Sequence, residues 1–162
     1  MAKISRNELI QEFITAIRAS QTATQTLDHS IADYLGIDDT AFRCLDILDQ
    51  EGPMTAGRLA ERARLSPGAT TAVLDRLEAK QLARRVRDTE DRRRVLVEVA
   101  PKAHEGSEEL YGTQEEAAAD LSVYSDEQLE FLIDFLRGGI AYQEERIRRL
   151  EAIKAREAGD TD

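Results

Sequence analysis

The sequence predicts a mainly α-helical fold that carries one small β-hairpin. Most of the 162-residue chain places apolar residues at helical spacing, whereas residues 83–99 alternate in the manner of a strand pair. Gly and Pro interrupt these stretches where helices are expected to end. With 41% hydrophobic and 33% charged residues, the chain has the composition of an ordinary globular protein.

The first two helices are predicted from their end signals. Ser5 and Glu8 form a capping-box pattern ahead of an apolar stripe, and no Gly or Pro follows before Gly36. We therefore expect one long helix of about thirty residues that ends at a Gly cap. A second helix follows it and stops at Gly52 and Pro53.

Two shorter helices and a hairpin come next. Thr55 is a plausible N-cap for the first of them, and Ser66, followed by Pro67 at the first helical position, begins the second. The stripe of this second helix is predicted to consist of Ala69, Val73, Leu74 and Leu77, which leaves Gly68, Thr70 and Thr71 on the presented face.

The hairpin has a strongly charged connecting turn. Val95, Val97 and Val99 alternate with polar or larger residues, and the turn at 88–93 leads into three consecutive arginines at 92–94. Two helices joined by a tight turn and followed by a basic hairpin match a helix-turn-helix with an appended β wing. This winged helix-turn-helix arrangement is the strongest signal in the chain.

Two further helices are predicted towards the end of the chain. One starts at Pro101 and continues to Leu121, and the other starts at the capping box of Ser125 and Gln128. The paired glycines at 138–139 interrupt the last stripe, and we expect a kink or a close helix crossing there.

Charge is distributed unevenly along the chain. The formal net charge is −10, which by itself argues against a nucleic-acid partner. Residues 52–102, however, hold 12 Lys or Arg against 7 Asp or Glu, a net charge of +5, whereas the remainder holds 10 against 25, a net charge of −15. A basic module lies between acidic arms, and the local field at a contact surface matters more than the total.

The terminal helices carry more apolar surface than a small winged helix can cover. A second copy of the chain is the simplest way to bury that surface, so a homodimer is expected. Two recognition helices held about 34 Å apart can enter successive major grooves of double-stranded DNA.

Residues 66–94 and their surroundings resemble the MarR family of winged helix-turn-helix transcription regulators. The most specific match is the wing, DTEDRRR at 88–94, followed by LSPGATTAVLDRLEAKQL from Leu65, and the resemblance extends from Ser5 to about Ile153. It implies one domain over 1–162, with a DNA-binding lobe at 38–100 and dimerisation helices at 5–36 and 101–156. It also implies a ligand-responsive repressor that binds a pseudo-palindromic operator as a homodimer.

The resemblance implies particular contacts with DNA. The start of the Ser66 helix would face the major groove, and the wing arginines would approach the minor groove or the backbone, with Asp91 pairing one of them. The candidate DNA-binding residues are Ser66, Gly68, Thr70, Thr71, Arg76, Arg87, Asp91, Arg92, Arg93 and Arg94. Three positions depart from the family pattern: Gln81 and Ala103 stand where Gly is common, and Ala100 stands where a Thr or Ser cap is usual.

Other candidate sites carry weaker signals. His29, Tyr34 and Arg43 are candidates for a small-molecule effector pocket, although surface or core-edge positions are the more frequent explanation for such residues. Cys44, the single cysteine, is a candidate redox-sensing thiol, although a buried inert cysteine is the more frequent case. Two histidines and one cysteine offer no metal-ligand spacing, and we expect neither a metal nor a cofactor.

Other classes of protein are disfavoured. No apolar run approaches membrane-spanning length, residues 1–13 lack the pattern of a signal peptide, and a cytoplasmic location without a membrane partner is expected. An enzyme is not expected, because the chain has no phosphate-binding Gly loop or nucleophile elbow. A winged helix that binds proteins instead of DNA is the main alternative, since the overall acidity suits that role.

Overall fold

The computed structural model describes residues 4–105 and 110–159, with side chains up to residue 157. The chain divides into two compact units, residues 1–111 and residues 112–162. The first unit contains the predicted DNA-binding lobe, and the second contains the last two helices. Among the described helices, none combines the length and apolarity that a membrane span requires.

The first two helices begin and end at their predicted caps. Helix α1 spans Arg6–Leu35, and Ser5 and Glu8 exchange both hydrogen bonds of a capping box. It ends at Gly36, whose φ of 65° lies in the left-handed region that favours glycine. Helix α2 spans Asp39–Glu51 and is followed by Gly52, which also has a positive φ of 79°. Both predictions are confirmed.

Helices α3 (Ala56–Ala63) and α4 (Pro67–Ala79) form the helix-turn-helix. Each starts as predicted, because the side chains of Thr55 and Ser66 accept hydrogen bonds from backbone N–H groups in the first turns. Arg64, between the two helices, adopts a left-handed conformation with φ 55°. The core of the lobe lies where these helices meet α2, and its largest fully buried residues include Leu48, Leu59, Leu74 and Leu77.

The predicted hairpin is confirmed. Strands β1 (Ala83–Arg87) and β2 (Val95–Val99) pair antiparallel, with Ala83 opposite Val99 and Arg87 opposite Val95. Met54 adds an isolated bridge to Val97, and the two residues exchange both backbone hydrogen bonds. Val97 is buried in the core of the lobe, so the middle of β2 is held by this side chain as well as by the backbone bridge to Met54.

The prediction of one continuous helix from Pro101 to Leu121 is wrong. Helix α5 spans only Pro101–His104, residues 106–109 lie outside the described part, and Gly112 adopts φ 80°. A new helix, α6 (Gln114–Leu121), starts at a capping box that Thr113 forms with Glu116. A prediction from helical periodicity misses this start signal, because the alanines that follow Thr113 extend the helical pattern.

Helix α7 spans Asp126–Gly159 and begins at the predicted capping box of Ser125 and Gln128. It is continuous through Gly138 and Gly139. Apart from the neighbouring backbone of α7 itself, no atom of the described residues lies within 4 Å of a Cβ added at Gly138 or Gly139, and the kink or close crossing predicted there stays a prediction.

Candidate nucleic-acid interface

Helix α4 presents a face of small side chains. Ser66, Gly68 and Thr71 are exposed as predicted, and a Cβ added at Gly68 would meet nothing within 4 Å. The Thr71 hydroxyl donates a hydrogen bond to the Pro67 carbonyl at 3.0 Å, which leaves its oxygen lone pairs available as acceptors. Because these side chains are short, the backbone of the helix can approach a partner surface closely.

Thr70 corrects the predicted orientation of this helix. It is only 2% exposed, so the prediction that it lies on the presented face is wrong, whereas Ala69 is exposed instead of packing inward. The buried stripe is Thr70, Val73, Leu74 and Leu77, which is the regular spacing of one helix face. The Thr70 hydroxyl donates to the Ser66 carbonyl at 3.0 Å, and this satisfied polar group can therefore be buried.

The turn of the wing is built around Asp88. Its Oδ1 atom accepts hydrogen bonds from the backbone N–H groups of Glu90 at 2.8 Å and Asp91 at 3.4 Å, and Oδ2 lies 3.7 Å from Nη1 of Arg94. The sequence pattern places Asp88 in the turn but does not indicate these contacts. An Asp that binds backbone groups two and three residues ahead is a common turn-forming signal.

Asp91 pairs with one wing arginine, as the resemblance implied. Its Oδ1 accepts from Nε of Arg93 at 3.2 Å and from the backbone N–H of Arg93 at 3.1 Å. These hydrogen bonds, led by the one from the Arg93 side chain, hold the pKa of the Asp91 carboxyl below its usual value. The ion pair orders the tip of the wing while Arg93 stays almost fully exposed.

The arginines of this surface differ in whether an acid neutralises them. Arg76 contacts Asp38 at 2.6 Å, Arg84 contacts Glu98 across the strand pair at 2.6 Å, and Arg93 and Arg94 have the partners given above. Arg87 and Arg92 are exposed and form no ion pair with any residue that the structure describes. Those two carry the uncompensated positive charge of the wing.

Arg85 joins the wing to α4. Its guanidinium contacts Glu78 and lies 3.1 Å from Oδ1 of Asp75, and its backbone N–H donates to Oε1 of Glu78 at 3.0 Å. From the sequence, Arg85 is only one of the polar residues that alternate with apolar ones along the first strand. Charge pattern alone gives no partner for it, because both acids come from the preceding helix.

The C-terminal end of α4 is held by lysines. Gln81, directly after the C-cap, has φ 62°, which confirms the strained left-handed residue expected where Gly is common. Nζ of Lys102 donates to the Lys80 carbonyl at 3.2 Å and to Oε1 of Gln81 at 3.4 Å. Ala100 makes no side-chain cap for α5, also as expected.

The three predicted effector contacts have separate surroundings. Nδ1 of His29 lies 2.8 Å from Oδ1 of Asp39, the Tyr34 side chain is exposed, and Nη2 of Arg43 donates to the Ala63 carbonyl at 2.6 Å. None of the three lines the cavity of about 350 Å³ between the α1–α2 corner and the end of α4. Their role as ligand contacts stays a prediction.

Cys44 lies in the core of the lobe. It is fully buried, and burial raises the pKa of its thiol. A thiol with a raised pKa holds little thiolate, the nucleophilic form that a peroxide sensor requires. Among the described residues, no group of three or more His, Cys, Asp or Glu side chains is placed to hold a metal ion.

Similarity to known proteins agrees with this geometry. The family description "MarR family" matches residues 37–95, which run from two residues before α2 to the first residue of β2. The uncharacterized HTH-type transcriptional regulator YcgE of Bacillus subtilis is 34% identical over 148 residues, covering 91% of this chain and 96% of that protein. The chain belongs to the MarR family.

Solved structures support the same fold. A MarR family protein from Bacillus stearothermophilus superposes with a TM-score of 0.58 at 26% identity, covering 88% of this chain and 99% of that one. A transcriptional regulator from Thermotoga maritima, at 23% identity and a TM-score of 0.56, covers 85% of this chain and 97% of that one and shares the fold. As a MarR-family member, this protein is a DNA-binding transcription regulator, and its family relatives are regulators and not enzymes.

Proposed function

We propose that this MarR-family protein is a homodimeric repressor that binds a pseudo-palindromic operator. In each copy, α4 enters a major groove and the wing contacts the neighbouring minor groove or backbone. The observation that carries this proposal is the small exposed face of α4 beside a wing on which Arg87 and Arg92 have no acidic partner within the described residues. Unpaired guanidinium groups are the ones free to replace counterions on phosphates.

The residues of α4 have different proposed roles. Ser66, Gly68 and Thr71 lie at the exposed start of the helix, where short side chains allow contact with base edges or phosphates. Arg76 lies in the last turn of α4 and is paired with Asp38, so contact with DNA requires it to exchange that carboxylate for a phosphate. Thr70 has no part in the proposal, because its side chain is buried.

Exposed apolar side chains support the homodimer. On α1 they include Leu9, Ile10 and Ile14, and on α7 they include Leu136, Ile140 and Leu150. Each helix therefore presents an apolar stripe that another helix can cover. Gly138 and Gly139 lie within the α7 stripe region with open space around them, which suits close approach by a helix of the second copy.

An effector and repression complete the proposal. A small molecule that binds where α1 meets the lobe would release DNA only by favouring a state with a different separation of the recognition helices. His29, Tyr34 and Arg43 are the proposed contacts for it. A screen for compounds that release the protein from DNA selected out of a random pool tests this part directly.

The test of DNA binding is a salt titration. The protein is first used to select sites from random duplex DNA, and affinity is then measured between 50 and 200 mM salt. Replacing Arg87 and Arg92 by Ala removes two phosphate contacts per protomer, so the slope of log K against log salt should fall by about 0.9 per lost contact, roughly 3.6 for a dimer. The matched control is Arg84→Ala, which removes a paired arginine from the same hairpin and should leave the slope unchanged.

Three results would contradict the proposal. An unchanged slope in the Arg87 and Arg92 double variant would remove the wing from the interface. Selection of no preferred sequence, with weak and salt-labile binding to any duplex, would favour the protein-binding alternative. Light scattering that gives one chain mass of 18.2 kDa instead of twice that value would exclude the homodimer.

A further inference from the structure

We propose that Arg85 is a positioning residue for DNA binding, which holds the wing at a defined angle to α4 so that both reach the duplex together. This inference rests on the function proposed above. It assigns a role to a residue that lies outside the candidate DNA-binding set.

The contacts of Arg85 cross from the hairpin to the helix. One arm of its guanidinium contacts Glu78, the other lies 3.1 Å from Oδ1 of Asp75, and the backbone N–H of Arg85 donates to the same Glu78 carboxylate at 3.0 Å. Asp75 and Glu78 lie on α4 three residues apart and therefore on one face. A planar guanidinium with donors in a fixed fork suits such a pair of acids better than a flexible ammonium does.

The position of this contact lets it control the wing tip. Strands β1 and β2 pair over five residues each, so a tilt of the hairpin at Arg85 would be carried through the paired strands to the turn. Arg92 lies in the connecting turn, and with about 3.3 Å per strand residue the tip is roughly 10–15 Å from Arg85. A tilt of about 10° at the base therefore moves the tip by roughly 2 Å, which is enough to break a hydrogen bond to a phosphate.

Arg85 also screens the acids of α4 from DNA. Asp75 is exposed and Glu78 is partly exposed, and unpaired carboxylates on this helix would repel phosphates. With both acids engaged, the Arg85 side chain has its donors directed at the protein. This arrangement distinguishes Arg85 from Arg92, which has no partner within the described residues.

A double-mutant cycle with full-length protein tests the proposal. Arg85→Ala should weaken binding to selected DNA and reduce its salt dependence, although Arg85 itself contacts no phosphate. Adding Arg92→Ala to Arg85→Ala should then have little further effect, so that the combined loss falls short of additivity by about threefold or more. Arg85→Lys should behave like Arg85→Ala, because a lysine cannot bridge both acids in the same geometry.

The matched control is Arg84→Ala, the neighbouring arginine of β1, whose partner Glu98 lies within the hairpin. Its effect should add to that of Arg92→Ala. If Arg85→Ala fails to fold, as judged by its thermal transition, the pair Asp75→Asn and Glu78→Gln breaks the same contact from the helix side. That pair should show the same coupling to Arg92.

The outcomes separate this inference from the proposed function. Additive losses of DNA affinity for Arg85→Ala and Arg92→Ala, or full DNA affinity in Arg85→Lys, would mean that Arg85 contacts DNA directly or has no role. Either result would overturn this inference and leave the proposed function standing. Absence of specific DNA binding by the wild-type protein would instead overturn the proposed function.

Discussion

Replacing Gln81 by Gly should stabilise the protein. Gln81 holds φ 62°, and a left-handed conformation costs an L-residue about 1–2 kcal/mol, a cost that glycine does not have. Glycine loses more backbone entropy on folding, which offsets the relief of this strain by about 0.5–1 kcal/mol. The lost hydrogen bond from Lys102 is long, at 3.4 Å, and contributes little. The expected net gain is about 0.5–1 kcal/mol, or a rise in Tm of about 1–4 °C.

Urea unfolding at a fixed protomer concentration measures this gain. The midpoint should rise with an unchanged m-value, since the surface exposed on unfolding stays the same. Ala79→Gly is the matched control, because Ala79 is exposed and lies in the last helical turn of α4, where glycine should cost about 1 kcal/mol. Destabilisation by Gln81→Gly, or equal effects of glycine at positions 79 and 81, would refute the strain argument.

Two further predictions concern titratable groups. The hydrogen bond with Asp39, reinforced by the charges of Asp39 and Asp33, raises the pKa of His29. The ion pair should therefore stabilise the fold fully below about pH 6.5, the pKa of an unperturbed histidine. This stabilisation should disappear as the pH rises through the pKa of His29 in the folded protein. NMR titration should show a lower His29 pKa in Asp39→Asn, and an unchanged value would count against the pair. Because burial raises the pKa of Cys44, iodoacetamide should label the native protein far more slowly than the urea-unfolded protein, and peroxide treatment should leave DNA binding intact. Rapid native labelling, or loss of DNA binding with peroxide, would restore Cys44 as a redox sensor.

The fold was predictable wherever a local signal specifies it. The predicted helix caps are all present, at Ser5, Thr55 and Ser66. Each cap is a hydrogen bond from a backbone N–H to a side-chain oxygen three residues earlier, so its two partners can be read from the sequence alone. The break before α6 was missed although Thr113 and Glu116 carry the same signal, since the alanines and glutamates that follow Thr113 have high helix propensity. Local signals therefore need to be weighed against propensity, which tertiary context can override.

The candidate interface was predictable only in part. The order of the elements and the basic wing follow from sequence pattern, but whether an arginine is paired depends on residues that are distant along the chain. Arg76 pairs with Asp38, the N-cap residue of α2, and Arg43 of α2 donates to the last carbonyl of α3. The sequence allows an apolar face of α4 that begins with either Ala69 or Thr70. Only the packing of α4 on the core decides that Thr70 is the buried residue.

Lys102 and Lys80 connect the C-terminal end of α4 to two neighbouring segments of the chain. Lys102, in the segment that leaves the lobe, donates to the last turn, and a Cβ added at Gly36, where α1 ends, would lie 2.7 Å from Nζ of Lys80. Motion of either segment therefore acts on α4 at its C-terminal end. The helix has 13 residues and is about 20 Å long, so a rotation of about 5° around that end displaces Ser66 by roughly 2 Å. The residues proposed to read bases are those that such a rotation moves farthest.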